Sequence, residues 1–198
     1  MSWVQLINGG RFSFDGKHEW LGFDRFDAGK ALSQINRFTG HTTEPWNVAA
    51  HSLLVSELAG REAGDRAALL GLVHDLHEIV IGDISTPVKN YISSEGGGSA
   101  LARLENMAQR ALCDQLGVSL KMTDVEHQAV KKADLVALMT EKRDLMVNSF
   151  EWDCKEPPSD LRCFTRHADA WAVEWSDKLR HLCRGTAASK YIWQGSMV

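Results

Sequence analysis

The chain has 198 residues, 44% of them hydrophobic and 24% charged, which suits one globular domain with a core of useful size. Its net charge of −4 leaves no broad basic surface for a polymeric nucleic acid. No run of about 18 apolar residues is present, so no membrane span is expected, and the opening MSWVQLINGG has no signal-peptide pattern. Cys113, Cys154, Cys163 and Cys183 show no CxxC pairing and read as reduced thiols of a cytoplasmic protein.

Residues 1–26 are rich in Gly, aromatic and β-prone residues and predict a small hairpin or irregular arm. Residues 27–38 predict a short helix with Asp27 near its cap and with Leu32 and Ile35 one turn apart. After a Gly/Thr loop, Pro45 fits the first turn of a helix carrying Val48, His51, Leu54 and Leu58. Residues 60–65 read as a turn, and residues 66–80 as one central helix that ends before Gly82. Residues 85–89 are expected to leave the helix, because Pro87 disfavours helical geometry at Thr86. Residues 93–99 read as a mobile loop, followed by helices over about 100–116 and 123–147, with Gly117 stopping the first. A last helix is expected over about 160–184, with Trp171 and Trp175 on a face that could form a homo-oligomer interface or core. The tail 185–198 reads as irregular. Strand signals are sparse after residue 26, so the fold class is all-α.

The chemistry concentrates in residues 74–89, where the apolar run Ala67–Val73 ends in His74, Asp75, His77, Glu78, Asp83 and Lys89. Burying such a cluster is costly unless its members are paired or bind a metal. Glu78 follows His74 by four residues and Asp75 by three, so it projects near both. His77 is a competing ligand on spacing alone. His51 on an apolar helix and Asp134 at the edge of an apolar segment can complete a mixed N/O set suited to Mn, Fe, Co or Zn. Such an ion acidifies bound water to near-neutral pKa. Each residue alone has an ordinary structural reading, His51 as a core histidine and Asp134 as half of a salt bridge. All those readings would have to hold together. Arg37, Lys89 and Lys131 lie near these elements and suit phosphate. Phe38 could stack on a base, and Thr86-Pro87 could form a rigid turn at the pocket wall.

With His51, His74-Asp75 and Asp134 in this order, the sequence resembles the HD-domain metal-dependent phosphohydrolases. The blocks Ile35-Asn36-Arg37-Phe38, Asn47-Val48-Ala49-Ala50-His51-Ser52, His74-Asp75-Leu76-His77-Glu78, Gly82-Asp83-Ile84-Ser85-Thr86-Pro87-Val88-Lys89 and Val130-Lys131-Lys132-Ala133-Asp134 are similar to YfbR-type 5′-deoxynucleotidases. They also resemble related phage-encoded dATP triphosphohydrolases. The resemblance implies an HD-domain helical bundle over 27–184, with 1–26 as an arm and 185–198 as a tail. It implies His51, His74, Asp75 and Asp134 as metal ligands, and Glu78 and Asp83 acting on the water, with an additional Mg as an option. It implies Arg37, Lys89 and Lys131 on phosphate, with Phe38, Thr86 and Pro87 bordering sugar and base. His77 is left out of the site. The chain departs from the family at Ala50, where Glu is common, and at Phe38, where Trp is common. The second departure bears on sugar and base selectivity.

The expected activity is metal-dependent hydrolysis of 2′-deoxynucleotides. The phage-like N-terminal half and three candidate cations favour a dNTP triphosphohydrolase over a 5′-deoxynucleotidase acting on dNMP. A signalling-nucleotide hydrolase would share the metal site, and a non-catalytic nucleotide-binding module on an HD scaffold is the reading from another class.

Overall fold

The first reversal of the chain is at Asn8-Gly9-Gly10, where Gly9 takes φ +87° and Leu6 N–H donates to Gly10 O at 2.8 Å. This turn joins β1 (Trp3–Gln5) to β2 (Arg11–Ser13), antiparallel with Val4 opposite Phe12. The hairpin is the one named sheet of the computed structural model, which describes residues 2–147 and 150–184. Everything else regular in those residues is helical, and the fold is all-α with a short hairpin arm. The expectation for the tail 185–198 falls outside the described residues.

Helix α1 (Arg25–Leu32) begins earlier than the sequence suggests. Asp24 is its N-cap, and Asp27 is the reciprocal partner of that capping box rather than the cap. It also ends at Leu32, and residues 37–40 form a short 3-10 turn in which Phe38 and Thr39 hold φ near +54° and +53°. Helix α2 (Val48–Ala63) is started by Asn47, whose side chain accepts from Ala50 N–H. The predicted turn over 60–65 contracts to Gly64, at φ +82°, before α3 (Asp65–Val73).

The predicted central helix over 66–80 does not run through. After Val73 the chain tightens: Leu76, Glu78, Ile79 and Val80 N–H groups each donate three residues back, to Val73, Asp75, Leu76 and His77 carbonyls. Only the turn α4 (Glu78–Ile81) follows, and Gly82 at φ +84° ends it.

Helix α5 (Thr86–Ser94) corrects the expectation for 85–89. Ser85 alone is extended, and Pro87 sits in the first helical turn, where its missing N–H has no intrahelical partner to lose. The predicted mobile loop over 93–99 is a tight corner. Gly96 at φ +85° reverses the chain while Gly97 N–H donates to Ile92 O, and α6 (Gly98–Gln115) starts directly. Gly117 stops α6 as expected, at φ +69°. Helix α7 (Asp124–Leu145) opens on a Thr123/Glu126 capping box.

The last helix, α8 (Ala168–Cys183), is shorter than the predicted 160–184. Residues 159–163 are instead strapped across α7. Arg143 donates to Ser159 O and Leu161 O, both at 2.6 Å, and Asp144 accepts Cys163 N–H at 2.8 Å. These side chains hold the backbone groups a helix would have used.

Trp171 and Trp175 are fully buried, so the aromatic face of α8 is core rather than an outer surface. Trp171 meets the buried Trp46 edge-on at 5.8 Å, and Trp175 Nε1–H donates to Leu72 O at 3.2 Å. Helices α2, α3 and α7 pack together, and a smaller apolar cluster (Leu54, Val55, Ala59, Ala67, Ala129, Ala133, Ala137, Leu161) lies between α2 and α7. A Cβ added at Gly71 would sit 3.1 Å from Val55 O and 3.3 Å from Ala59 Cβ, so glycine is what lets α3 approach α2 this closely. Among the described residues, no helix is long and apolar enough to cross a membrane.

Candidate metal centre

His51 lies one turn into α2 and is fully buried. His74 caps α3, Asp75 opens the tightened turn, and Asp134 comes from the middle of α7. The close packing of α2, α3 and α7 brings them together. His51 Nε2 is 3.3 Å from His74 Nε2 and 3.2 Å from Asp134 Oδ1. His74 Nε2 is 3.1 Å from Asp75 Oδ2 and 3.7 Å from Asp134 Oδ1. Asp75 Oδ2 is 3.7 Å from His51 Nε2.

Donors bound about 2.1 Å from one ion lie about 3.0–3.4 Å apart; the pairs His51–His74, His51–Asp134 and His74–Asp75 fall in that range, while His74–Asp134 and His51–Asp75 are wider, at 3.7 Å. The tautomers agree. His51 Nδ1 donates to Glu141 Oε1 at 2.7 Å and His74 Nδ1 donates to Gly71 O at 2.7 Å. Both Nε2 atoms therefore carry lone pairs, and two facing lone pairs 3.3 Å apart call for a cation between them. The residues fit a divalent metal. Burial disfavours a charged His74 imidazole, yet the Asp75 and Asp134 carboxylates outweigh it and hold its pKa well above the usual value. The site thus attracts positive charge, as proton or metal.

Glu141 is the residue that sequence reasoning missed. Fully buried, it accepts from Trp46 Nε1 at 2.8 Å and His51 Nδ1 at 2.7 Å on one oxygen, and from Arg37 Nε at 3.2 Å on the other. Burial opposes its charge, but Arg37 and His51 hold its pKa below the usual carboxylate value. A signal was present: Glu141 lies seven residues after Asp134, hence on the same side of α7 two turns on.

Arg37 reaches the site because two short backbone pairings align residues 35–37 with the start of α2. Arg37 N–H donates to Trp46 O at 2.9 Å and Val48 N–H to Ile35 O at 3.0 Å. Its NH1 lies 3.8 Å from Asp75 Oδ2, and burial of its charge is more than offset by Glu141, Asp75, Asp134 and Asp83. Phe38 packs against Trp152 at 5.9 Å between ring centres and against the Arg37 guanidinium at 5.2 Å.

Glu78 is buried beside this centre. Burial, with Asp75 and Asp83 adding repulsion, pushes its pKa up to about 9. Asp83 is half-buried and close enough for its charge to act on Glu78 and Arg37. Lys89 is tied to Glu105 at 2.9 Å. Thr86 and Pro87 are exposed on the first turn of α5, not in a non-helical turn. Lys131 is exposed on α7, one turn before Asp134. Of the three candidate cations, only Arg37 is buried against the metal ligands.

Sequence comparison agrees with this geometry. The profile of a family described as 5′-deoxynucleotidase YfbR-like matches residues 26–142, more than half the chain and all four candidate ligands. The chain belongs to the YfbR-like 5′-deoxynucleotidase family. It is accordingly an HD-type hydrolase. It is similar to the uncharacterized protein YfdR of Escherichia coli, 31% identical over 141 residues, covering 67% of this chain and 70% of that protein. An uncharacterized protein of Rhodobacter capsulatus is 30% identical over 149 residues, covering 73% of each chain. The 5′-deoxynucleotidase YfbR of Escherichia coli is 32% identical over 111 residues, 44% of this chain and 55% of YfbR. Among solved structures, the cyanophage S-2L HD phosphohydrolase (DatZ) bound to dA and one catalytic zinc ion superposes with a TM-score of 0.49. It shares 21% identity and covers 81% of this chain and 85% of its own.

Proposed function

We propose that this YfbR-like hydrolase is a metal-dependent 5′-deoxynucleotidase that converts dNMP to deoxynucleoside and phosphate. The carrying observation is the position of Arg37. It is the one candidate phosphate cation buried at the metal ligands, 3.8 Å from Asp75, while Lys89 is engaged by Glu105 and Lys131 stands on the rim. That arrangement supports recognition of a single phosphate beside the metal.

His51, His74, Asp75 and Asp134 would hold the ion. When bound, it acidifies water and polarises the phosphoryl group. Arg37, its Nε fixed by Glu141, offers its remaining N–H groups to non-bridging phosphate oxygens, where charge grows in the transition state. Water attacks phosphorus, the bond from phosphorus to the 5′ oxygen breaks, and that oxygen needs a proton. Glu78, buried beside the site, is the group placed to supply one. The Asp83 carboxylate, less buried, orients the attacking water. Phe38 and Trp152 border the sugar, and Thr86, Pro87 and Lys89 lie at the outer rim.

The dNTP triphosphohydrolase reading keeps one specific support. Lys131 is exposed on α7 one turn before Asp134, a position from which it would meet a longer phosphate chain. Purified protein loaded with Mn, Co or Zn and incubated with dNMPs, dNTPs and ribonucleotides separates the readings by product. Orthophosphate from dNMPs supports the proposal. Triphosphate from dNTPs, with dNMPs untouched, replaces it.

A further inference from the structure

Arg37, Phe38 and Trp152 follow one another away from the metal ligands. Arg37 NH1 is 3.8 Å from Asp75 Oδ2, and its guanidinium carbon lies 5.2 Å from the centre of the Phe38 ring. That ring lies 5.9 Å from the Trp152 ring, tilted by 46°. A nucleotide has a matching order of phosphate, sugar and base. One whose phosphate sits on Arg37 would carry its sugar past Phe38 and its base to Trp152.

The two aromatic residues are held in place. Phe38 and Thr39 take left-handed backbone, at φ +54° and +53°, which residues with a Cβ enter only at a steric cost. His41 N–H donates to Phe38 O at 2.9 Å and closes that turn. Thr43 then ties it to the end of α7, its N–H and its hydroxyl both donating to Leu145 O, at 2.8 and 3.0 Å. The segment that carries Trp152 leaves α7 at Met146, the next residue, so both rings hang from one anchor. Cys154 N–H donates to Trp152 O at 2.8 Å and tightens the chain at Trp152 itself.

A cation supports the indole. Lys142 is only 8% exposed, and its ammonium stands over the Trp152 ring, 5.4 Å from the centre. Its acidic neighbour Glu151 is 3.9 Å away and fully exposed, so that pair contributes little. The ring face is the substantial partner of an ammonium that has given up most of its solvent. Trp152 is partly exposed, which leaves indole surface for a second planar group. A ring fixed in this way loses little freedom when a ligand stacks on it. Trp152 also lies beyond residue 142, where the match to the family ends, so this wall is not part of the shared pattern.

We propose that Trp152 is the base-binding residue of this site, stacking on the nucleobase, and that Lys142 is the positioning residue that holds its ring. The inference deepens the deoxynucleotidase reading and rests on it for the place of the phosphate. Stacking uses the flat face that every base has and reads no hydrogen-bonding edge, so the ligand class is the 5′-deoxynucleotides without regard to base identity.

The test compares dAMP with 2-deoxyribose 5-phosphate, which has the same phosphate and sugar and no base, on the Mn(II)-loaded full chain. The quantity read is the ratio of their kcat/KM values. Trp152→Ala should lower it about 5–100-fold, the range for one lost stack, and Trp152→Phe should recover most of it. Lys142→Met should lower it in part, and Lys142→Arg, which keeps a cation over the ring, should restore it. If both substrates decline alike in Trp152→Ala, leaving the ratio within about twofold of wild type, the base site is overturned and the hydrolase reading stands. A Lys142→Met ratio equal to wild type overturns the role given to Lys142. Calorimetric titration with deoxyadenosine needs no turnover. An affinity weakened about 5–100-fold by Trp152→Ala supports the base site even where dNMPs are not substrates. No turnover of dNMPs and no binding of deoxyadenosine overturn both readings together.

Discussion

Glu141→Gln is the sharpest perturbation of the centre, because it changes one atom and leaves the shape of the core intact. The carboxylate serves three donors, from Trp46, His51 and Arg37. An amide has one oxygen for them, and its NH2 must face at least one of the donors. If it faces His51, the imidazole is driven to the other tautomer, with hydrogen on Nε2 where the metal should bind. If it faces Arg37, a buried guanidinium is left with Asp75 at 3.8 Å as its remaining near partner. Breaking a buried ion pair costs about 3–5 kcal/mol. The retained oxygen and Asp75 bring the expected loss below that range, to about 2–3 kcal/mol. At about 2–4 °C per kcal/mol for a chain of this size, Tm should fall by about 4–12 °C. Metal affinity should fall about 10–100-fold, as when the outer hydrogen bond of a ligating imidazole is lost. Thermal unfolding in chelator reads the first quantity and calorimetric titration with Mn(II) the second. A variant with wild-type Tm and affinity within about threefold would refute the claim that Glu141 sets the His51 tautomer and Arg37 position.

Further outcomes follow from the same geometry. Gly71→Ala places a methyl 3.1 Å from the Val55 carbonyl and should destabilise the fold by about 1–3 kcal/mol, read as a lowered urea midpoint. Arg37→Lys keeps the charge but loses the fork between Glu141 and substrate, so kcat/KM should fall about 10–100-fold with metal stoichiometry unchanged in a binding titration. In metal-free protein the Glu78 pKa is raised to about 9, so the unfolded chain releases that proton first and stability is lost as pH rises from about 4.5 toward 9. Glu78→Gln removes this penalty, and its Tm in chelator should exceed wild type at pH 8 and converge with it near pH 4. Metal must displace protons from imidazoles whose pKa values are raised, so Mn(II) affinity should increase with pH until His51 and His74 are neutral, as measured by titration at several pH values.

The residues that recur in a recognisable order were legible from the chain alone. His51, His74, Asp75 and Asp134 carry their signal in ionisable groups set into apolar runs, and α2, α3 and α7 bring those four together. Glu141 was not legible, because one acid in a helix already rich in Lys, Asp and Glu does not stand out. Its meaning depends on Trp46 and Arg37, about a hundred residues away. The helix boundaries failed where side chains from elsewhere take over backbone groups, as Arg143 and Asp144 do at residues 159–163. Pro87 misled in another way. Its steric bias against a helical Thr86 is weak enough to be overridden in a first turn, where no N–H is missed. The aromatic face of α8 suggested an outer interface, but composition does not separate a core stripe from a docking stripe, and Trp46 and Leu72 meet it inside.

The break in the predicted central helix decides which side chains stack beside the candidate centre. On a regular α-helix Glu78 would stand about 60° round the axis from Asp75. The donations from residues 76, 78, 79 and 80 to carbonyls three residues back wind the chain to about three residues per turn. Side chains three apart then eclipse: Asp75 over Glu78, and His74 over His77. His74 and Asp75 can close on one ion from adjacent edges, 3.1 Å apart at the donor atoms, while the next pair repeats the same kinds of group one turn along. The tight turn keeps Glu78 stacked on Asp75 beside the centre, and Gly82 at φ +84° ends it before the chain leaves the site.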